Sequence, residues 1–333
     1  MILLSSNIKQ LLISFEIWGK HTMEITIILS SVTIMAIIIL IGMLIAGNYK
    51  ITDESKQLLV TIIMNISVPS IILNGVFNTH INDQLLSKMF VIFLLSITFN
   101  AVGIGLGWLS AIIFGFRTIV AKKIAILAGL GNTGFIGIPV CTTLFGSNGG
   151  LLAAIYDAGL DVIVFTLVTI LLKTERKFSF RNFKASINIP VIAIMIGVLV
   201  AITGYKPPLV IKSLVDILSN LAAPLAMLYV GLLIPPFFIE NKKISIRFIS
   251  ISLLMKLLVI PTLMVAVLHT MSITTDVKLV VLIQLSMPTF MLATVLFTKY
   301  DGDDKTAVMT TIFSTIFSLM TIPLIAYIGG LLL

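Results

Sequence analysis

The run Gly131-Asn132-Thr133-Gly134-Phe135-Ile136-Gly137-Ile138-Pro139 sets an amide and a hydroxyl among three glycines and a proline. Asn132 offers two amide donors, and Thr133 a hydroxyl that donates to a carboxylate or accepts from one of a solute's own hydroxyls. A second run, Ser286-Met287-Pro288-Thr289, again sets hydroxyls beside a proline. Residues of these types can hydrogen-bond a solute. Gly131, Gly134 and Gly137 supply backbone freedom and close approach, while Pro139 and Pro288 interrupt regular helix. Lys256 stands alone in Leu253-Leu254-Met255-Lys256-Leu257-Leu258-Val259-Ile260-Pro261, and Asp157 and Asp161 lie four apart, hence on one helix face. Such a lysine either attracts anions or joins the two aspartates in proton coupling, and the alternative is a side chain that snorkels to the membrane surface. Gln284 is a further candidate for contact with solute or coupling ion.

The elements that must position these residues are apolar throughout. Of 333 residues, 58% are hydrophobic and 11% charged, with mean hydropathy +1.16, which excludes a water-soluble domain. Ten apolar segments are expected, at about 24–47, 58–77, 87–114, 121–145, 150–172, 187–203, 210–238, 246–268, 277–298 and 306–332. The fourth is long enough to span ~30 Å of hydrocarbon at ~1.5 Å per residue, yet it is broken near its middle by the Gly131 to Pro139 run. Unwound backbone at that depth persists only where protein or a water-filled cavity satisfies it, and transporters use such breaks to bind solutes. Half-helices meeting there would aim partial positive charge into the cavity, with a carboxylate as the fitting guest.

The formal net charge of +8 does not mark a nucleic-acid partner, because the basic residues fall in short loops between the segments. One side holds fifteen, namely Lys50, Lys56, Arg117, Lys122, Lys123, Lys173, Arg176, Lys177, Arg181, Lys184, Lys242, Lys243, Arg247, Lys299 and Lys305. The other holds six: Lys9, Lys20, Lys88, Lys206, Lys212 and Lys278. The positive-inside rule makes the fifteen-residue side cytoplasmic and puts both termini outside the cytoplasmic (inner) membrane. Residues 1–23 are expected to be an N-terminal extension, with Met23 as the natural start. Cys141, the single cysteine, is expected to be a packing residue. No cofactor or metal is implied, since Asp301-Gly302-Asp303-Asp304 lacks the spaced ligands of a calcium loop. An enzyme is not expected, since H-E-x-x-H and G-x-S-x-G are absent and an aspartyl protease needs aspartates on two facing helices. A receptor would not require two breaks of this kind.

The two halves carry a weak internal repeat. Asn65-Ile66-Ser67-Val68-Pro69 corresponds to Asn220-Leu221-Ala222-Ala223-Pro224, a displacement of 155 residues that also carries Asn132 to Met287, next to Pro288. Five segments per half is an odd number, so the second half, 187–333, would enter the membrane from the opposite side to the first, 24–172, with 173–186 as a cytoplasmic loop. The expected fold is therefore all-α and polytopic, a 5+5 inverted repeat of ten transmembrane helices with broken fourth and ninth helices. Asn65 and Asn220 either bond carbonyls freed by Pro69 and Pro224 or line the site, the first role being favoured.

The Gly131 to Pro139 run resembles the fourth-helix motif of the auxin efflux carrier family, which includes plant PIN proteins and bacterial malate and malonate permeases. Met287-Pro288-Thr289, Tyr300-Asp301-Gly302-Asp303 and Thr321-Ile322-Pro323-Leu324 resemble that family's C-terminal signature. The resemblance implies crossing fourth and ninth helices, a scaffold of helices 1, 2, 6 and 7, and a transport core of helices 3–5 and 8–10 that moves like an elevator. It implies a small organic anion and the lipid bilayer as partners, and dimerisation through the scaffold. Plant members have proline before the fourth-helix asparagine and a Pro-Gln pair in the ninth helix; here Gly131 and Thr289 stand there, which moves the expectation from an auxin-like indole acid to a malate- or malonate-like dicarboxylate. A sodium-coupled bile-acid-type symporter is the nearest alternative. The fourth and ninth segments carry no acidic residue, which favours proton coupling or uniport.

Overall fold

The computed structural model describes residues 33–78, 83–172, 189–203, 205–239, 245–291, 293, 297 and 304–333. The expected extension 1–23, the loop 173–186, Lys299, Tyr300 and the Asp301 to Asp303 cluster lie outside the described residues. Among those described, the chain is helical apart from short connections and one isolated bridge between Gly131 and Thr289. Six helical runs are long and apolar enough to cross a membrane: Glu54–Asn78, Asp83–Ile113, Thr133–Leu172, Leu209–Pro235, Ile246–Thr270 and Thr306–Leu332.

In chain order the helices are α1 (Thr33–Asn48), α2 (Asp53–Ile62), α3 (Val68–Asn78), α4 (Asp83–Ile113), α5 (Thr118–Gly129), α6 (Ile138–Ile163), α7 (Thr169–Leu172), α8 (Ile189–Thr203), α9 (Leu209–Ser219), α10 (Ala222–Ile239), α11 (Ile246–Leu254), α12 (Ile260–Thr270), α13 (Thr275–Leu285) and α14 (Asp304–Leu332). Two helix starts are capped by hydroxyl side chains. Thr52 accepts from the Ser55 N–H and Ser245 from the Phe248 N–H, each at 3.3 Å.

Four wide π-helical turns occur among the described residues; Val164–Val168 joins α6 to α7, and each of the other three ends two residues before a proline. Those three are Ile63–Ser67 before Pro69, Thr133–Gly137 before Pro139 and Met255–Val259 before Pro261. A proline ring collides with the carbonyl four residues earlier and supplies no N–H, and widening the preceding turn relieves both faults without ending the helix. Helix α6 breaks differently. Gly146 sits at φ 69°, and a Cβ on Gly150 would run into the Thr142 hydroxyl, although eight residues of straight helix would separate the two by ~12 Å. The chain therefore doubles back at Gly146, which separates the expected fourth and fifth segments.

Packing depends on small residues. Along α4 and α5, a Cβ on Gly103 would lie 2.9 Å from the Gly129 carbonyl oxygen, and one on Gly129 would lie 2.5 Å from the Ile104 nitrogen. Helices α1 and α10 meet through Gly42 and Gly231, each of which would drive a Cβ into the other's backbone. Without water to drive helices together in lipid, such close backbone approach is a main source of association. The outward surface stays apolar, with Leu44 66% and Met320 76% exposed, as a lipid-facing surface requires. Hydroxyls within helices turn back onto carbonyls one turn earlier, as Thr98 does to Leu94 and Thr310 to Thr306. Two charged contacts sit at or beside helix ends. Lys88 at the start of α4 pairs with Asp276 at the start of α13 at 2.6 Å, and Arg247 stacks 5.2 Å over the Phe116 ring.

Gly129→Ala is expected to lower the thermal midpoint of the purified protein by several degrees, since overpacking costs ~1–3 kcal/mol. Gly105→Ala, on the same α4 but with no atom within 4 Å of its added Cβ, leaves the midpoint unchanged.

Candidate functional site

Helix α5 ends at Gly129 and helical structure resumes at Thr133; helix α13 ends at Leu285 and the chain runs irregularly through Phe290. Both interruptions are buried and lie against each other. Leu130 and Met287 are fully buried, as is Thr289. The Asn132 N–H donates to the Pro288 carbonyl at 2.7 Å and the Phe290 N–H to the Leu130 carbonyl at 3.3 Å. These bonds make a short antiparallel bridge between Gly131 and Thr289, so each break satisfies backbone groups that the other has freed.

Side chains complete the stitching. The Thr289 hydroxyl donates to the Leu127 carbonyl, and the Thr289 N–H donates to Ser314 of α14, both at 3.0 Å. Thr133 donates to the Asp157 carboxylate at 2.5 Å. Ser286 bonds back to Leu282 within its own helix. Thr133 and Thr289, expected to touch solute, thus have their hydroxyl hydrogens committed inside the protein.

The three glycines of the run serve the close approach expected of them, but toward particular polar side chains that sequence reading did not assign. None adopts a positive φ, so backbone freedom is not what they supply. Each makes room for one polar side chain. A Cβ on Gly131 would lie 3.0 Å from the Lys256 ammonium nitrogen, one on Gly134 would lie 2.6 Å from a carboxylate oxygen of Asp157, and one on Gly137 would collide with the Gln284 carboxamide. The crossing therefore gathers a lysine from the turn between α11 and α12, an aspartate from α6 and a glutamine from α13.

Lys256 does not snorkel: it is 1% exposed and donates to the Leu285 carbonyl at 3.1 Å. Gln284 is fully buried and donates to the Ala153 carbonyl at 3.0 Å, which leaves its own carbonyl oxygen without a partner. Asn132 is 5% exposed, and its side-chain nitrogen likewise has no partner. A buried donor and a buried acceptor are thus left open at the crossing. Asp161 lies one turn beyond Asp157 and is half-buried.

A cavity of about 360 Å³ lies beside the crossing. It is lined by Pro139, Thr142 and Thr143 on one side and by Ser219, Asn220, Pro224 and apolar residues of α1, α3 and α10 on the other. Thr142 and Thr143 donate back to Ile138 and Pro139, so they present lone pairs to it. The Ser219 hydroxyl donates to the Asp216 carbonyl and accepts from Asn74. Asn220 occupies a turn between α9 and α10, where the sequence suggested one continuous segment, and its side chain faces the cavity. Asn65 is exposed on its π turn, whereas Pro69 is buried. Thr142, Thr143 and Ser219 were missed by sequence reading; their only signal is position, one turn past Pro139 and next to Asn220.

Comparison with known proteins adds to this geometry. A family model described as "Membrane transport protein" matches residues 27–182 and 176–326. A protein named "Uncharacterized transporter" from Methanocaldococcus jannaschii is 28% identical over 306 residues, covering 89% of this chain and 97% of the relative. Another with that description, from Methanothermobacter thermautotrophicus, is 24% identical over 298 residues, with the same shares covered.

Thr289→Val removes the hydroxyl donor to Leu127 while keeping the shape. It is expected to cost about 1 kcal/mol, a fall of ~2–4 °C in the thermal midpoint of the purified protein.

Proposed function

The chain belongs to the membrane transport protein family, the auxin-efflux-carrier-like family, and from that premise we propose that it is a secondary carrier for a small organic anion. The protein is a multi-pass membrane protein of a transporter family and not of an enzyme family. The finer reading is a ten-helix inverted repeat in the cytoplasmic membrane, both termini outside, with α5 to Phe145 and α13 onward as its crossed fourth and ninth helices. The observation that carries it is the reciprocal pairing of the two breaks, with the Asn132 amide left open between them.

The scaffold is assigned to α1 to α3 and α8 to α10, and the moving core to α4 to α7 and α11 to α14. The 360 Å³ cavity supports this division, because residues of both groups line it. So does the smaller cavity at Met35, Ile136, Met227 and Thr315, which continues the same boundary.

The N-terminal turn at Thr133 and Gly134 carries the partial positive charge that suits a carboxylate. Asp157 already lies against that turn, in the manner of an internal substitute for the solute's own carboxylate. Protonating Asp157 frees the turn for the solute, so a proton would accompany the anion. Among the described residues the cavity lining carries no charged side chain and is largely apolar, so a second carboxylate would find no counter-charge among them. That observation favours an anion with one carboxylate and an apolar body over a dicarboxylate such as malate or malonate.

The test is uptake into proteoliposomes of lactate, indole acetate, malate, malonate and citrate, with proton, sodium or voltage gradients imposed in turn. Asn132→Ala is expected to lower transport of the preferred solute at least about 10-fold, the loss of a buried hydrogen bond to a charged group. Unchanged transport removes Asn132 from the site. Asp157→Asn is expected to abolish stimulation by an imposed proton gradient, and a variant still driven by protons overturns the coupling role.

A further inference from the structure

Lys256 is an ammonium with no carboxylate partner among the described ion pairs, held beside the two paired breaks. Its position follows from local chemistry. Pro261 forces the wide turn Met255–Val259, and that turn carries Lys256 inward instead of leaving it on the regular helix face. The nitrogen then meets the Leu285 carbonyl, the last of α13 and one that has no intrahelical partner. It also approaches Gly131, two residues past the C-terminal end of α5, where any side chain would crowd it. Two helices thus end beside one nitrogen. Helix C-terminal ends carry partial negative charge and exposed carbonyls, and in transporters such ends coordinate sodium or protons.

We propose that Lys256 is a resident cation: its ammonium fills the cation position at the crossing, so the carrier assembles that crossing without dissolved sodium. The idea rests on the carrier reading for its meaning in transport and settles which coupling ion the crossing excludes. Gly131 is part of the device, because a Cβ there would come within 3.0 Å of the nitrogen and crowd it.

The test needs no transported solute, so it stands or falls separately from the identification of one. Thermal midpoints of the purified protein in detergent are compared in equal concentrations of sodium, methylammonium and choline chloride. The wild-type midpoint is expected to be the same in all three, within about 1 °C. Lys256→Ala opens the position, and its midpoint, lowered by about 5 °C or more in choline, is expected to rise saturably with methylammonium or sodium. Lys256→Met, whose side chain fills the space without charge, is expected to respond to neither. A wild-type midpoint that rises with sodium overturns the proposal without any variant. A folded Lys256→Ala with one midpoint in all three salts overturns it as well. If Lys256→Ala does not fold, Lys256→Gln in methylammonium is read by the same criteria.

Discussion

Two backbone hydrogen bonds, Asn132 to Pro288 and Leu130 to Phe290, are the interactions on which the rest of the site depends. In apolar surroundings an unsatisfied N–H or carbonyl costs several kcal/mol, so one interrupted helix would be a heavy liability. Two interruptions that face each other across a short antiparallel bridge remove that liability for both. The positions of the surrounding helices follow. Helix α14 must bring Ser314 to the Thr289 N–H, and α5 must present the Leu127 carbonyl to the Thr289 hydroxyl.

The bridge also explains the charge arrangement. An interrupted helix has a positive start and a negative end, and each needs a counter-charge that lipid cannot give. Asp157 stands at the start that follows Asn132, and Lys256 at the ends near Leu285 and Gly131. Glycine recurs every three residues at 131, 134 and 137 because each position must admit Lys256, Asp157 or Gln284 respectively. A methyl group at any of them would force a polar side chain away from the atom it serves.

Much of this was legible in the sequence, for physical reasons that differ from residue to residue. Helical, membrane-embedded structure followed from apolar segments too long and too frequent for a soluble core, and the interruptions followed from glycine and proline inside them. The place of Lys256 within an apolar segment followed from its neighbours, but burial as against snorkelling did not, because that depends on a carbonyl partner 29 residues away, at Leu285. Thr133 and Thr289 read as solute contacts because a hydroxyl in a break looks free until its partner is known; those partners, Asp157 and Leu127, are 24 and 162 residues away. Asn220 read either as a partner for a carbonyl freed by Pro224, the favoured role, or as a lining of the site; the chain turns at Asn220 itself and the residue lines a cavity. The cavity could not be inferred from spacing, since Thr142 and Ser219 come together only after the reversal at Gly146 and the meeting of α6 with α10.

The most direct measurement of the central claim is amide hydrogen exchange of the protein in lipid nanodiscs, resolved to peptides spanning 128–134 and 286–291. If the two breaks are paired, the amides of Asn132 and Phe290 exchange as slowly as those of the flanking helices α5 and α13, and they open together. Exchange at either amide on the timescale of an exposed loop would contradict the account, because it would mean that each interruption finds its hydrogen bonds in water and not in the other.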